Sequence, residues 1–228
     1  MRNSFGTLGA LVAALGLVAC AHQSYEPVPA KVGGPTGSAT FDDCELEDGS
    51  SVPSDFPRGT LAPAGPAEHS LACGLSAQLA ALGEPSLFPL PGTTEVYRVL
   101  WIRADGHPVS VRVDRQDSAS QVRGAQTSGK GLGTPGELLE ESSSNALPSF
   151  VQELVTRVGA TRFWAPLPQA TAIPPLGTGS TWVFEGTRDG EYRVRTFQRE
   201  TLARDPEFAG LARTLVGASG LHIEGAVY

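Results

Sequence analysis

The residues with the clearest chemical potential sit in four places along the chain. Gly124, Gly129 and Lys130 have the spacing of a phosphate-binding loop, GxxxxGK. The next position is Gly131, where a Ser or Thr must reach the magnesium ion. The run Gly131-Leu132-Gly133-Thr134-Pro135-Gly136 cannot begin a helix, so the amides and dipole that hold phosphate are missing. The same run contains GxGxxG, but no strand-to-helix transition surrounds it, and a hairpin loop accounts for it better. Gly74-Leu75-Ser76-Ala77-Gln78 lacks the second Gly of a nucleophile elbow, and Ser76 falls within a helical pattern. The four histidines, His22, His69, His107 and His222, share no metal-ligand spacing and read as surface or capping residues. Asp43, Glu45, Glu47 and Asp48 resemble a calcium loop only in part. Asp48 stands where the turn needs Gly, and Ser54 stands where Glu should close the loop, so a solvated acidic stretch is the better reading. No cofactor or metal site is expected, and no two carboxylates are paired by any sequence argument.

Two arginines stand apart. A hairpin from Glu95 to Arg103 and Pro108 to Asp114, turning at Ala104-Asp105-Gly106, pairs Trp101 with Val109, Val99 with Val111 and Tyr97 with Val113. All three pairs are apolar and share a face, whereas a register shifted by one residue would mix charge into it. This register sets Arg98 directly opposite Arg112, and like charges so placed repel. Either Asp114 and Glu95 screen them diagonally, or the pair contacts an anion or an acidic partner.

The elements that must position these residues follow from periodicity. Residues 68–82 form a helix with Leu71, Leu75, Leu79 and Leu82 on one face, ended by Gly83 and Pro85. A second hairpin joins Trp182–Thr187 to Glu191–Phe197. With Arg188-Asp189-Gly190 as its loop, Phe184 meets Val194, Trp182 meets Thr196, Glu185 meets Arg193 and Gly186 lies under Tyr192. Gln121–Gln126 and Glu137–Ser142 are further strand candidates. A helix runs from Pro148 to about Val158 with Phe150, Val151, Leu154, Val155 and Val158 on one side. Asp205 caps a last helix that begins at Pro206 and buries Phe208, Leu211, Ala212, Leu215 and Val216. The stretch from Pro166 to Ser180 holds four prolines; it reads as a loop packing Ile173 and Leu176 over the sheet, or as a functional loop. The fold class is therefore α+β, a mostly antiparallel sheet built from hairpins with about three packed helices.

Composition bounds the partners. The 228 residues include 17 basic and 24 acidic side chains, for a net charge of −7, and only Lys31 and Lys130 are lysines. The 27 glycines and 18 prolines make about a fifth of the chain, against an average near 12%. A collagen, a dense disulfide scaffold and a polytopic membrane protein are excluded. Nine acidic and two basic residues lie between Glu26 and Glu84, whereas the chain from residue 90 onward is nearly neutral. With no basic stripe to neutralise phosphates, no nucleic-acid partner is expected. Between Pro27 and Pro66, 13 of 40 residues are Gly or Pro, which marks a linker.

The N-terminus carries an address. Arg2 and the α-amine precede an uncharged apolar run from Leu8 to Ala19. The stretch Leu17-Val18-Ala19-Cys20 resembles the lipobox of bacterial lipoprotein precursors. That resemblance implies a signal peptide over 1–19, diacylglyceryl transfer to the Cys20 sulfur, cleavage before Cys20 and acylation (palmitate among the chains) of the new amine. Two or three acyl chains anchor firmly, at about 0.8 kcal/mol per buried CH₂. Ala21 after the cysteine matches the outer-membrane sorting default of diderm bacteria. Ordinary signal cleavage after Ala21 and an uncleaved anchor are the alternatives. With Cys20 lipidated, Cys44 and Cys73 remain as an even pair, which normally bridges in an oxidising compartment; two separate thiols are the alternative.

The expected organisation is a signal peptide (1–19), a lipidated Gly/Pro-rich acidic tether (20–66) and a single α+β domain (67–228). The order of elements also loosely resembles exported proteins of GC-rich bacteria that have no assigned activity. The functional expectation is a protein anchored by its N-terminal lipid to the cell membrane or outer membrane, facing the periplasm or the surface. It would bind an envelope protein or act as an accessory component rather than catalyse. A hydrolase with sequence-scattered site residues is the alternative, which a carboxylate-flanked His107 or His222 in a cleft would favour.

Overall fold

The structure, a computed structural model, describes residues 31–32, 39–45, 49–88, 95–116, 119–166 and 179–225. The signal peptide, Cys20, His22, Glu47, Asp48 and the Ile173 and Leu176 loop lie outside the described residues.

The strands are β1 (Lys31–Val32), β2 (Asp43–Glu45), β3 (Ser51–Pro53), β4 (Glu95–Ile102), β5 (Val109–Arg115), β6 (Ser120–Thr127), β7 (Leu138–Asn145), β8 (Thr181–Arg188) and β9 (Glu191–Gln198). The helices are α1 (Pro66–Ala81), α2 (Pro148–Ala160), the short α3 (Arg199–Leu202) and α4 (Pro206–Ala218). Seven strands form one sheet in the order β1-β9-β8-β4-β5-β6-β7, antiparallel throughout except where β1 joins β9 in parallel. β2 and β3 form a separate small hairpin. This is a mixed α+β fold: a large antiparallel sheet of hairpin-connected strands with helices packed on it.

Both faces of the sheet are covered. On one, Tyr97, Val99, Trp101, Val109, Val111, Val113, Trp182 and Phe184 meet α2 and α4. On the other, Val96, Leu100, Ile102, Val183 and Val194 meet the leucines of α1 together with Phe56 and Leu61. A strand buried on both sides reads as an almost continuous apolar run, which is why β4 carries EVYRVLWI. Residues 39–45 and 49–66 fall within the stretch that composition marks as tether, yet Phe56 and Leu61 belong to this second core and Phe41 packs against it, with Cys44 also buried, as a strap over the sheet.

The first hairpin has the expected register, Tyr97 opposite Val113, Val99 opposite Val111 and Trp101 opposite Val109. The second does not. Trp182 pairs with Phe197, Phe184 with Arg195, Glu185 with Val194 and Gly186 with Arg193. The turn is the two-residue Asp189-Gly190, both at positive φ (53° and 73°). That geometry is a type I′ turn, whose twist matches that of its flanking strands. Removing Arg188 from the loop slips β9 by one residue, and period-2 alternation then sends Tyr192 and Val194 to the α1 face.

α1 buries Leu71, Leu75 and Leu79 as expected, with Leu82 buried as its C-cap, and Asp205 Oδ1 accepts the Phe208 amide at 3.1 Å to cap α4. On α2, Leu154 and Val158 are buried but Val155 is exposed. The helix seats the Phe150, Leu154, Val158 row against the core and α4, which turns Val155 outward.

Candidate functional site

Register across β4, β5 and β6 aligns three arginines in a row, Arg98, Arg112 and Arg123. They lie on the α1 face, where the turn after α1 lowers Glu84 among them. Glu84 Oε2 accepts Arg112 Nη1 at 2.9 Å and lies 3.6 Å from Arg98 Nη1; its Oε1 accepts Arg123 Nη1. Glu185 on β8 completes the cluster. Its Oε2 accepts Arg98 Nε at 2.9 Å and Nη2 at 2.6 Å, while Oε1 accepts the Tyr192 hydroxyl at 2.8 Å. Arg98 also donates to the Pro85 carbonyl (2.7 Å), and Arg123 to the Leu82 carbonyl (2.8 Å).

The side chains of Arg98, Glu84 and Glu185 are 0% exposed. Burial opposes the charge on Arg98, but Glu185 and Glu84 outweigh it and hold the guanidinium above its ordinary value. Burial and Glu185 together push the Tyr192 hydroxyl well up. Asp55, on the strap, is raised to about 6, chiefly by burial and further by Glu185, against the opposing pull of Arg98 and hydrogen bonds from Ser86 and Ser76.

Of the two screening carboxylates expected from sequence, Asp114 takes its part, 2.9 Å from Arg112 Nε. Glu95 instead pairs with Arg115 and accepts the Tyr97 hydroxyl. Glu84 and Glu185 do most of the screening; sequence reasoning missed both, since neither neighbours the hairpin in the chain. Arg98 thus has no solvent-facing surface through which an outside partner could reach it. Chemically, the row clamps the end of α1 to the sheet.

A second cluster surrounds the cysteines. Cys44 on β2 and Cys73 on α1 are bridged, with Cα atoms 5.4 Å apart. Cys44 is buried and Cys73 half-buried. His69, one turn before Cys73, sets both ring nitrogens 3.9 Å from its Sγ, and Asp42 Oδ2 lies 3.6 Å from His69 Nδ1. Asp42 Oδ1 in turn faces Arg58 Nε at 3.7 Å. The helical spacing of His69 and Cys73 is visible in sequence; the arrival of Asp42 from the strap is not.

The third region is the end of the molecule built by β7 and the start of α2. Two neighbouring clefts, of about 480 and 700 Å³, share Ala146. The first has Val122, Leu147, Phe150 and Ala218 as apolar lining with Glu153 and Arg213 among its polar residues. The second runs from Arg115 and Ser120 to Val151 and Val155. β7 is an edge strand of the sheet. Of the five exposed large hydrophobic side chains among the described residues, Leu147 (70% exposed) and Val155 line these clefts; Leu138 and Leu139 lie at the opposite end of β7, and Val52 is on β3.

Neither cleft is lined by His107 or His222. The His107 amide donates to the Gly129 carbonyl, and the His222 amide to the Glu140 carboxylate. The glycine run 129–136 forms the β6–β7 turn, where Gly131 and Leu132 carbonyls accept the buried Gln78 amide of α1. Ser76 lies inside α1, its hydroxyl donating to the Ala72 carbonyl. Among the described residues no group of His, Cys, Asp or Glu is arranged to hold a metal ion, and no helix is long and apolar enough to cross a membrane.

Compared with known proteins, the chain matches no family model and no curated protein.

Proposed function

We propose that this chain is a lipid-anchored cell-envelope protein whose folded body is a non-enzymatic binding or accessory component. Its partner-binding end is the one built by β7 and the start of α2. The observation that carries the reading is that exposed Leu147 and Val155 line two neighbouring clefts at the junction of β7 and α2, beside an open strand edge. Apolar side chains left together in solvent mark contact surfaces more often than scattered single ones do. The lipobox-like Leu17-Val18-Ala19-Cys20 supports the anchor, with the acylated Cys20 holding the body at the membrane or outer membrane.

Native mass spectrometry of protein taken from its own bacterium's membranes tests both halves. A chain beginning at Cys20 with acyl additions and a retained envelope protein is the expected result. The Leu147→Glu, Val155→Glu double variant should keep the fold and the lipid while losing the partner. A bare chain beginning at His22 with no companion would overturn the proposal.

A further inference from the structure

We propose that the Cys44–Cys73 bridge, with His69 and Asp42, is a thiol–disulfide exchange site whose substrate is a dithiol or disulfide protein of the envelope. The two cysteines are unequal in access: Cys44 is buried on β2, whereas Cys73 keeps part of its surface in solvent on the outer side of α1. The reachable sulfur is also the one with an imidazole beside it. Both ring nitrogens of His69 lie 3.9 Å from Cys73 Sγ, and Asp42 Oδ2 sits 3.6 Å from His69 Nδ1. An imidazole at this distance is placed to exchange a proton with the sulfur as it is released, and the carboxylate behind it orients the ring. The titratable and charged groups around the bridge are His69 on α1, Asp42 and Arg58 on the strap, and Asp43 and Glu45 flanking Cys44 on β2.

The chemistry balances as a two-electron exchange. A thiolate of the partner dithiol attacks Cys73 Sγ, the bridge breaks, and Cys44 Sγ leaves with the electron pair and takes a proton from solvent. The partner's second thiol then gives up its proton and attacks the partner sulfur of the mixed disulfide. Cys73 is expelled as a thiolate next to His69, and the partner ends as a disulfide. A leaving sulfur that ionises more readily leaves faster. In the reverse direction the same thiolate is the nucleophile that opens an oxidised partner, after which Cys44 closes the bridge. His69 and Asp42 are positioning residues for this step. The strap is held independently of the bridge by Phe56 and Leu61 in the core and by the Phe41–Phe88 ring contact, so the open form keeps a folded body.

The test uses the full chain. The bridge is opened with dithiothreitol under native conditions, and the folded reduced protein is pulsed with iodoacetamide across a pH series. Peptide mass spectrometry then reads Cys73 and Cys44 separately, and circular dichroism confirms that each variant is folded. Cys73, the more accessible sulfur with His69 beside it, is expected to alkylate about tenfold faster than Cys44 near pH 7. His69→Gln should erase that advantage and slow re-closure by oxidised glutathione by a similar factor, Asp42→Asn should reduce it, and His69→Lys should restore it. Equal alkylation of the two cysteines in the parent and in every variant would overturn the proposal. So would a bridge that dithiothreitol opens only when urea unfolds the chain, which would make it a structural link alone.

Discussion

Glu84 is one carboxylate facing three guanidinium groups, and its side chain is 0% exposed. Truncating one member of a buried ion cluster strands the others without counter-charge, at about 3–5 kcal/mol. Glu84→Ala should therefore cost that much in urea unfolding, and Glu84→Gln nearly as much, because the amide accepts hydrogen bonds but carries no charge. Glu141→Ala, which removes the half-exposed outer partner of Arg123, should cost less than about 1 kcal/mol. Asp55 makes an opposite contribution. Its folded-state value of about 6 lies above the model-peptide value of 3.8. Between those two values the folded chain holds a proton that the unfolded chain has released. Stability from this residue is thus full below about pH 4 and falls as pH rises through about 6. Asp55→Asn should flatten that fall and leave the variant more stable than the parent at pH 7, as urea midpoints at pH 4.5 and pH 7 would show. Equal slopes in parent and variant would refute the assignment.

At the scale of elements, the two long hairpins show how a turn sets a register. β4 and β5 could be paired from sequence because three apolar pairs agree on one face and only one loop length keeps them together. β8 and β9 offered no such test. Both faces of β8 are buried, so Trp182, Val183, Phe184 and Glu185 satisfy either register by composition alone. The backbone of Asp189-Gly190 decided it. Gly190→Ala, which forces a side chain into the left-handed region, should cost about 1–2 kcal/mol. Alanine at Gly133, whose φ is ordinary and whose Cβ would meet open space, should change stability by well under that. Gly186 is fixed for another reason: a Cβ there would lie 2.7 Å from Phe163 Cε1, so β8 and the segment after α2 meet only over a glycine.

For the whole molecule, the sheet is the middle of three layers, and the strap made by residues 39–45 and 49–66 belongs to one of the outer two. The bridge spans 29 residues, and closing a loop of that length stabilises by about 3–4 kcal/mol in the chain-entropy model. Cys44→Ser with Cys73→Ser should lower the unfolding free energy by about that amount while leaving the circular dichroism of the sheet intact, since the apolar contacts of the strap remain. A loss of the sheet signal at ambient temperature would show instead that the strap cannot stay docked without its covalent tie.

The amino-acid sequence alone determined what is local. Leucine spacing determined α1, Asp205 and Pro206 the start of α4, apolar alternation the β4–β5 register and with it the Arg98–Arg112 opposition, and cysteine parity the expected Cys44–Cys73 pair. Each rests on residues within a turn or a hairpin of one another, or on a count, so no knowledge of distant neighbours is needed. Only the tertiary structure decided that Glu84 and Glu185 neutralise the arginine row, that Asp42 stands behind His69, and that a Gly/Pro-rich stretch is a strap inside the core. These are encounters between segments far apart in the chain. Burial on both faces of the sheet removes the alternation that would have announced them, and glycine and proline content describes backbone freedom rather than what the intervening Phe41, Phe56 and Leu61 will bury.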